Sequence, residues 1–370
     1  MQLKTIEYSQ YVNTPREWKL TESCFNKISL LVGVNTSGKS RTLSVIAGLA
    51  RILNSDTLTI GHGYYDVHFY NDQDHIQYIL KIVKSVVLHE EIIINDVVKL
   101  KRDVSGKGEI FTNQLNDDMS FKVPENRVAS VVKRDTEQHT FLEPLHSWAS
   151  GLVYVQFNDN TERKTFVSFV EGIKNNEIRS NPIFLFKRGV DKYTNEFVSN
   201  ILLDMKSIGY IITDVQITQP DDIIINHGPP VHCLSIQEDN LDCITSQNEM
   251  SDGLFRALSL IIKLNYMMLN EYASVLIVDD IGEGLDFNRA RRIVDLIISR
   301  TKNSKFQVLM STNDQFIMDG VDLDVWSIIN RQKGVVTITN KHTDPDVFED
   351  FKFIGLNNFE FFSSEFYKGK

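Results

Sequence analysis

Residues 28–32 form an almost uninterrupted apolar run, and apolar positions then recur at Leu43, Val45, Ile46, Leu49 and Ile52. The run fits a strand buried on both faces, and the recurrence fits a helix with one apolar stripe. Similar runs return at 275–278 and 307–310, and a strongly apolar helical pattern covers 254–269. Helix and strand patterns alternate from residue 250 onward, which is the α/β signature. Between these ends, 65–69 alternates and 76–83 and 86–94 are rich in strand formers. With turn residues at Asn71, Asp72, Asn95, Asp96, Gly106 and Gly108, this predicts an antiparallel meander over 64–112. Residues 115–148 are polar and poorly periodic, and no element is predicted there. Residues 152–155 read as a buried strand ending at Gln156. The stretch 160–208 is predicted mostly helical, with Phe166, Phe169, Val170 and Ile173 on one face and Phe197, Val198, Ile201, Leu202 and Met205 forming a second pattern. Strands return over 210–235, interrupted by Gly228, Pro229 and Pro230.

The loop after the first buried run carries the chemistry. Gly33, Val34, Asn35, Thr36, Ser37, Gly38, Lys39 and Ser40 complete the pattern G-x-x-x-x-G-K-[ST] between a strand and a helix. Glycines let backbone N–H groups approach a phosphate, and the helix directs its positive end to the same place. Gly33, Asn35, Thr36, Ser37, Gly38, Lys39, Ser40 and Arg41 are therefore expected to contact a nucleotide. Lys39 reaches the β- and γ-phosphates and Ser40 binds Mg²⁺ in this arrangement. The run at 275–278 ends in Asp279 and Asp280, at the strand end where α/β sheets bind ligands. Mg²⁺ takes hard oxygen ligands, a role for Asp279, and hydrolysis needs a group that orients water, a role for Asp280.

Composition narrows the class. The chain has 370 residues, 42% of them hydrophobic, enough for a large core in one or two domains. Its net charge of −10 argues against a protein built mainly to coat nucleic acid. Cys24, Cys233 and Cys243 have no metal-ligand spacing, and three cysteines suit a reducing compartment. The N-terminus alternates like a strand without an apolar signal core, and no run approaches the roughly 18 apolar residues of a membrane span. A soluble, cytoplasmic protein with no membrane partner is expected.

Further segments complete a known order. Met250, Ser251, Asp252 and Gly253 precede the apolar helix, Gly282 to Asp286 follow the acidic strand, and Ser311, Thr312 and Asn313 end the strand at 307–310. This layout resembles ABC-type ATPases, and within them the soluble SMC/RecF/OLD-like AAA family, over about residues 1–340. The resemblance implies an α/β fold: an ABC-type P-loop ATPase with a mixed core sheet, an antiparallel β-subdomain and an inserted helical lobe. It implies a P-loop lobe with that β-subdomain at 1–150 and a helical lobe with returning strands at 151–245. A signature, Walker B and switch lobe would follow at 246–345, forming one composite ATPase domain with 1–150, and an aromatic tail at 346–370. ATP and Mg²⁺ are the implied cofactors. Gln156 would sense Mg²⁺ and the γ-phosphate. Ser251, Asp252 and Gly253 would meet ATP held by a second protomer, and Asp286 would lie at the dimer interface, although Ser251 and Asp286 also read as ordinary helix caps.

Two positions depart from the family pattern. Asp280 stands where glutamate is usual, and Asn313 stands where histidine is usual. Asparagine can hydrogen-bond a phosphate but takes no proton. Slow hydrolysis is expected, with Asp280, Lys39 and Asn313 as the catalytic set and Glu283 as a stand-in acid. The resemblance implies an ATP-dependent homodimer or higher oligomer that controls a separate effector protein, an arrangement found in anti-phage defence. Two other readings stay open: a RecF-like DNA-binding repair ATPase, with Lys99, Lys101, Arg102 and Lys107 as its basic surface, and a non-hydrolysing nucleotide-gated scaffold. The tail aromatics Phe348, Phe351, Phe353, Phe359, Phe361, Phe362, Phe366 and Tyr367 form either a partner surface or core packing.

Overall fold

The computed structural model describes residues 1–55, 58, 60–157, 159, 161–169, 181–220, 228–352 and 354–368. Its strands are β1 (Gln2–Gln10), β2 (Trp18–Cys24), β3 (Ile28–Val32), β4 (His62–Asn71), β5 (Asp74–Val83), β6 (Val86–Ile94), β7 (Val97–Arg102), β8 (Lys107–Thr112), β9 (Asp117–Lys122), β10 (Leu152–Gln156), β11 (Ile212–Thr218), β12 (Cys233–Glu238), β13 (Ile244–Ser246), β14 (Val275–Asp279), β15 (Gln307–Thr312), β16 (Trp326–Gln332) and β17 (Val335–Asn340). Its helices are α1 (Lys39–Leu53), α2 (Ala129–Val132), α3 (Glu143–Ser150), α4 (Pro182–Ser207), α5 (Asp252–Leu269), α6 (Phe287–Lys302), α7 (Gln315–Gly320), α8 (Pro345–Lys352) and α9 (Asn358–Ser363).

The apolar runs lie in the parallel part of a mixed sheet. Strands β3, β14 and β15 are buried along their whole length. They sit together in a 14-stranded order, β10-β14-β15-β3-β16-β17-β2-β1-β4-β5-β6-β7-β8-β9. The pairings from β10 to β16 are parallel, which places the ends of β3, β14 and β15 on one edge. Alternate residues serve two cores. Leu31, Val275, Ile277 and Leu309 pack with α1 on one face, and Leu30, Val32, Leu276, Val278, Val308 and Met310 pack with α5 on the other.

The antiparallel meander continues this sheet through the β1–β4 pairing, and it runs from His62 to Lys122, beyond the expected limits. Asn95 and Asp96 have φ of 49° and 65°, the geometry of a two-residue hairpin turn. Lys84 and Ser85 make a turn of the same sign at 52° and 59° without the residue types that announce it.

Three expectations are corrected. Residues 115–148 hold β9, α2 and α3, not an irregular stretch. Five of the six β9 residues are exposed, so no alternation marks it, and α3 buries Leu145, Trp148 and Ala149 in only eight residues. Residues 161–169 are not helical. Glu162–Lys164 is one 3₁₀ turn, Val167 pairs with His232 as an isolated bridge, and the helix begins at Pro182, capped by the Asn181 side chain. Val170 and Ile173 lie outside the described residues. Finally, Arg102 is 1% exposed and gives Nη1–H to the Arg127 carbonyl at 2.6 Å, so it is absent from any basic surface.

The tail aromatics pack inward. Phe348, Phe351, Phe361 and Tyr367 are buried in the same core as α5, and the Phe361 ring centroid lies 4.7 Å from Phe351 and 4.9 Å from Phe348. Phe353 lies outside the described residues. Among the described residues, no helix is long and apolar enough to cross a membrane.

Candidate functional site

The loop between β3 and α1 owes its shape to two glycines. At Gly33 a Cβ would lie 2.7 Å from Ile329 Cγ2 and 2.8 Å from the Ile329 carbonyl oxygen, so a side chain would force the loop off the sheet. Gly38 precedes the helix at φ 108°, a conformation that side chains resist. Thr36 is also left-handed, at φ 68°. Lys39 opens α1 and is 6% exposed. Its ammonium donates to the carbonyls of Gly33 at 2.7 Å and Val34 at 3.2 Å, folding back across the loop. Burial lowers its pKa, while the charges of Asp280 and Asp279 oppose that shift. Ser40, one residue on, is exposed. Arg41 turns away: it stacks over Trp18 at 4.4 Å and donates to Gln10 Oε1 at 3.0 Å.

Asp279 ends β14 and is 3% exposed. Ser311 Oγ donates to its Oδ1 at 2.5 Å, and the Tyr154 hydroxyl donates to its Oδ2 at 3.3 Å. Ser44 of α1 lies 3.3 Å from the same Tyr154 oxygen, linking the loop helix to the acid. Gln156 lies opposite Asp279 in the β10–β14 register. Asp280 takes φ of 55° and donates its backbone N–H to Ser311 Oγ at 2.8 Å. Burial raises the Asp280 pKa, the Asp279 and Glu283 charges add to the rise, and Lys39 counters it. Asn313 Nδ2 donates to Asn35 Oδ1 at 2.9 Å, which brings the end of β15 to the phosphate loop. Glu283 is exposed on the following turn.

Ser311 is thus the hub of the acid pair, although sequence marked it only as a strand end. Ser311→Ala is expected to lower the unfolding free energy by about 1–3 kcal/mol, because a buried carboxylate and an amide lose their common partner. Urea denaturation of the two proteins measures this; equal midpoints would show that the hydroxyl contributes nothing.

Ser251 caps α5, accepting from the Leu254 N–H at 3.3 Å, and is itself exposed. Gly253 is buried in the first turn. The Asp252 carboxylate holds Arg163 Nη1 at 2.5 Å, and Arg163 Nη2 donates to the Asn248 carbonyl at 2.7 Å. Arg163 carries no motif that marks it in the sequence. Next to it, Glu162 accepts from Lys263 Nζ at 2.6 Å and Ser259 Oγ at 2.9 Å. The segment after Gln156 is therefore fastened to α5. Asp286 caps α6, accepting from the Arg289 N–H at 3.1 Å. The phosphate loop and the acids converge at one edge of the sheet, while α1 and α5 pack on opposite faces.

The donor set suits a magnesium nucleotide. The loop ends in a helix N-terminus with a buried lysine, and Ser37 Oγ is buried with no partner. Hard oxygens stand at Ser40, Asp279 and Gln156, the ligand type Mg²⁺ takes.

No protein-family model matches the chain, and no curated protein matches its sequence. Solved structures do match its fold. An SMC head bound to the C-terminal winged-helix domain of ScpA aligns at a TM-score of 0.55 with 14% identity, covering 92% of this chain and 98% of that one. An SMC head domain with an extended coiled coil, bound to the C-terminal domain of ScpA derived from Pyrococcus furiosus, aligns at 0.53 with 11% identity, covering 95% and 99%. The chain has the fold of an SMC head domain, an ABC-type α/β architecture built on a large mixed sheet.

Proposed function

We propose that this chain is a slow ATPase that closes into a dimer around ATP and thereby controls a separate effector protein. The observation that carries this reading is the placement of two half sites. The loop, Lys39, Asp279, Asp280 and Asn313 gather at one strand edge, whereas the exposed cap Ser251 belongs to a helix on the other face of the sheet. In this reading a second copy brings its Ser251 and Gly253 to the γ-phosphate. α4 with strands β11–β13 then forms the inserted lobe, joined to α5 by a shared core.

Each residue has a physical task. Backbone N–H groups of the loop and the Lys39 ammonium hold the phosphates. Ser40, with Asp279 and Gln156 behind it, presents oxygen to Mg²⁺, which supplies charge neutralisation when bound. Ser311 and Tyr154 donate to Asp279 and hold its carboxylate in place. Asp280 orients the attacking water, and Asn313 joins the γ-phosphate side to the loop. Asn313 cannot exchange a proton and Asp280 is shorter than glutamate, which accounts for a slow rate. An anti-phage role for the effector rests on the family resemblance and is read from the effector's own domain.

The test is mass. With a non-hydrolysable ATP analogue and Mg²⁺, the chain is expected to double its mass in sedimentation. Ser251→Arg places a bulky cation in the partner's site and is expected to leave it monomeric with its own nucleotide affinity unchanged. An unchanged mass for the unaltered chain, under conditions where nucleotide binds, would overturn the dimer.

A further inference from the structure

We propose that Arg331 and Lys333, together with the Ser37 hydroxyl, form a subsite beside the phosphate loop that takes the α-phosphate end of a bound nucleoside triphosphate. This rests on the reading of the loop as a nucleotide site and adds residues outside its motif. Strand β16 runs parallel to β3, with Ile328 opposite Val32. The β16–β17 hairpin therefore rises at the same edge as the loop and directly beside it. A cavity of about 210 Å³ separates the two, lined by Val34, Thr36, Ser37, Asn330, Arg331 and Lys333.

Two observations mark this cavity as built for an anion. Ser37 lines the cavity and is 3% exposed, and its buried hydroxyl has no hydrogen-bond partner. Such a group is costly to bury unless a ligand completes it. Arg331 and Lys333 both stand exposed there, and among the described residues neither takes part in an ion pair. Arg331 uses Nε on the Lys333 carbonyl at 2.8 Å, which fixes the guanidinium and leaves its terminal nitrogens for another acceptor. Two neighbouring cations with no ion pair of their own repel one another until an anion joins them.

Direction along the sheet names the phosphate. In this reading the γ-phosphate end lies toward Asp279 at the end of β14, Asp280 just after it, and Asn313 after β15. Strand β15 flanks β3 on one side and β16 flanks it on the other. A triphosphate lying over the loop with its γ end toward β15 directs its α end toward β16, where Arg331 and Lys333 wait. Arginine in such a position gives charge-assisted hydrogen bonds to phosphate oxygen.

The experiment compares calorimetric affinities for Mg-ADP and a non-hydrolysable Mg-ATP analogue. The full chain is measured as unaltered protein, as Arg331→Ala with Lys333→Ala, as Ser37→Ala and as Lys39→Ala. The double variant is expected to bind both nucleotides about ten-fold more weakly, the loss of one charge-assisted hydrogen bond, and by the same factor for each. Ser37→Ala is expected to weaken both in the same direction. Both altered cations are on the surface, so an unchanged melting temperature without nucleotide shows that the fold is intact. A loss confined to the triphosphate would overturn the assignment to the α end, and unchanged affinity for both would overturn the subsite. If even the unaltered chain bound neither nucleotide, the nucleotide site itself would fail.

Discussion

A Lys39→Ala protein is expected to release phosphate from ATP at the background rate, a loss of at least about 100-fold. The reason lies in where this ammonium sits. It is 6% exposed, and its partners are two carbonyls of its own loop. Carbonyls compensate a buried ammonium only in part, so burial lowers its pKa against the pull of Asp280 and Asp279. A phosphate gives the charge a full partner. Binding therefore converts a strained arrangement into a satisfied one, and alanine removes that gain together with the stabilisation of charge developing on the leaving phosphate. A phosphate-release assay with both proteins at equal concentration decides it. Equal rates above background would assign the hydrolysis to a contaminant. A background rate in the unaltered chain, with ATP bound, would favour a nucleotide-gated scaffold instead. A melting-temperature shift on adding Mg-ATP, present in the unaltered chain and absent after Lys39→Ala, ties the result to binding.

The parallel centre of the sheet was legible because burial on both faces removes the need for polar positions. The runs at 28–32, 275–278 and 307–310 became β3, β14 and β15 or their parts in the expected context. The phosphate loop was legible because its glycines answer backbone demands that no other residue meets: close approach to Ile329 at Gly33 and left-handed φ at Gly38. Edge strand β9 was not, since a strand exposed along nearly all its length has no alternation to read. Helix α3 is too short for a period. The stretch at 161–169 was misread because Phe166 and Phe169 share helical spacing by accident. Phe169 lies instead against Phe184 and His232, with ring centroids at 5.6 and 4.8 Å.

The site was legible in its parts but not in its supports. Asp279 and Asp280 follow from the strand that ends in them. Ser311, Tyr154 and Arg163 do not, because each acts across strands or between segments, through contacts that no local pattern encodes. The cluster at Lys99, Lys101, Arg102 and Lys107 shows the opposite failure. Along the chain it reads as basic, yet Arg102 is a core residue and Lys101 pairs with Glu91 at 3.1 Å. Alternation within β7 sends one of its cations inward, and linear charge counting cannot see that.

Asp280→Asn is expected to slow hydrolysis by at least about 100-fold while leaving nucleotide binding intact, so that a dimer accumulates on ATP and Mg²⁺ and persists. Asparagine is nearly the same size and tolerates the left-handed φ of 55° held at this position. Its backbone N–H can still reach Ser311 Oγ, so the change removes charge without disturbing the turn. The pH dependence then separates two roles. Burial, with Asp279 and Glu283 nearby, raises the folded-state pKa of Asp280 above the ordinary carboxylate range. Water orientation needs the ionised form, so hydrolysis by the unaltered chain should rise with pH through that raised value, later than an ordinary aspartate would allow. Stability runs the other way. The folded state binds this proton more tightly than the unfolded state, so the contribution of Asp280 is complete below the ordinary carboxylate pKa and is lost as pH rises through the raised one. The Asp280→Asn protein lacks that loss and should gain stability relative to the unaltered chain across the same window. Phosphate release and urea midpoints, measured for both proteins from about pH 4 to pH 8, test the two limbs together. Parallel pH profiles in the two proteins would remove Asp280 from both roles, and a slowed protein that stayed monomeric with ATP bound would keep the chemistry but discard the dimer.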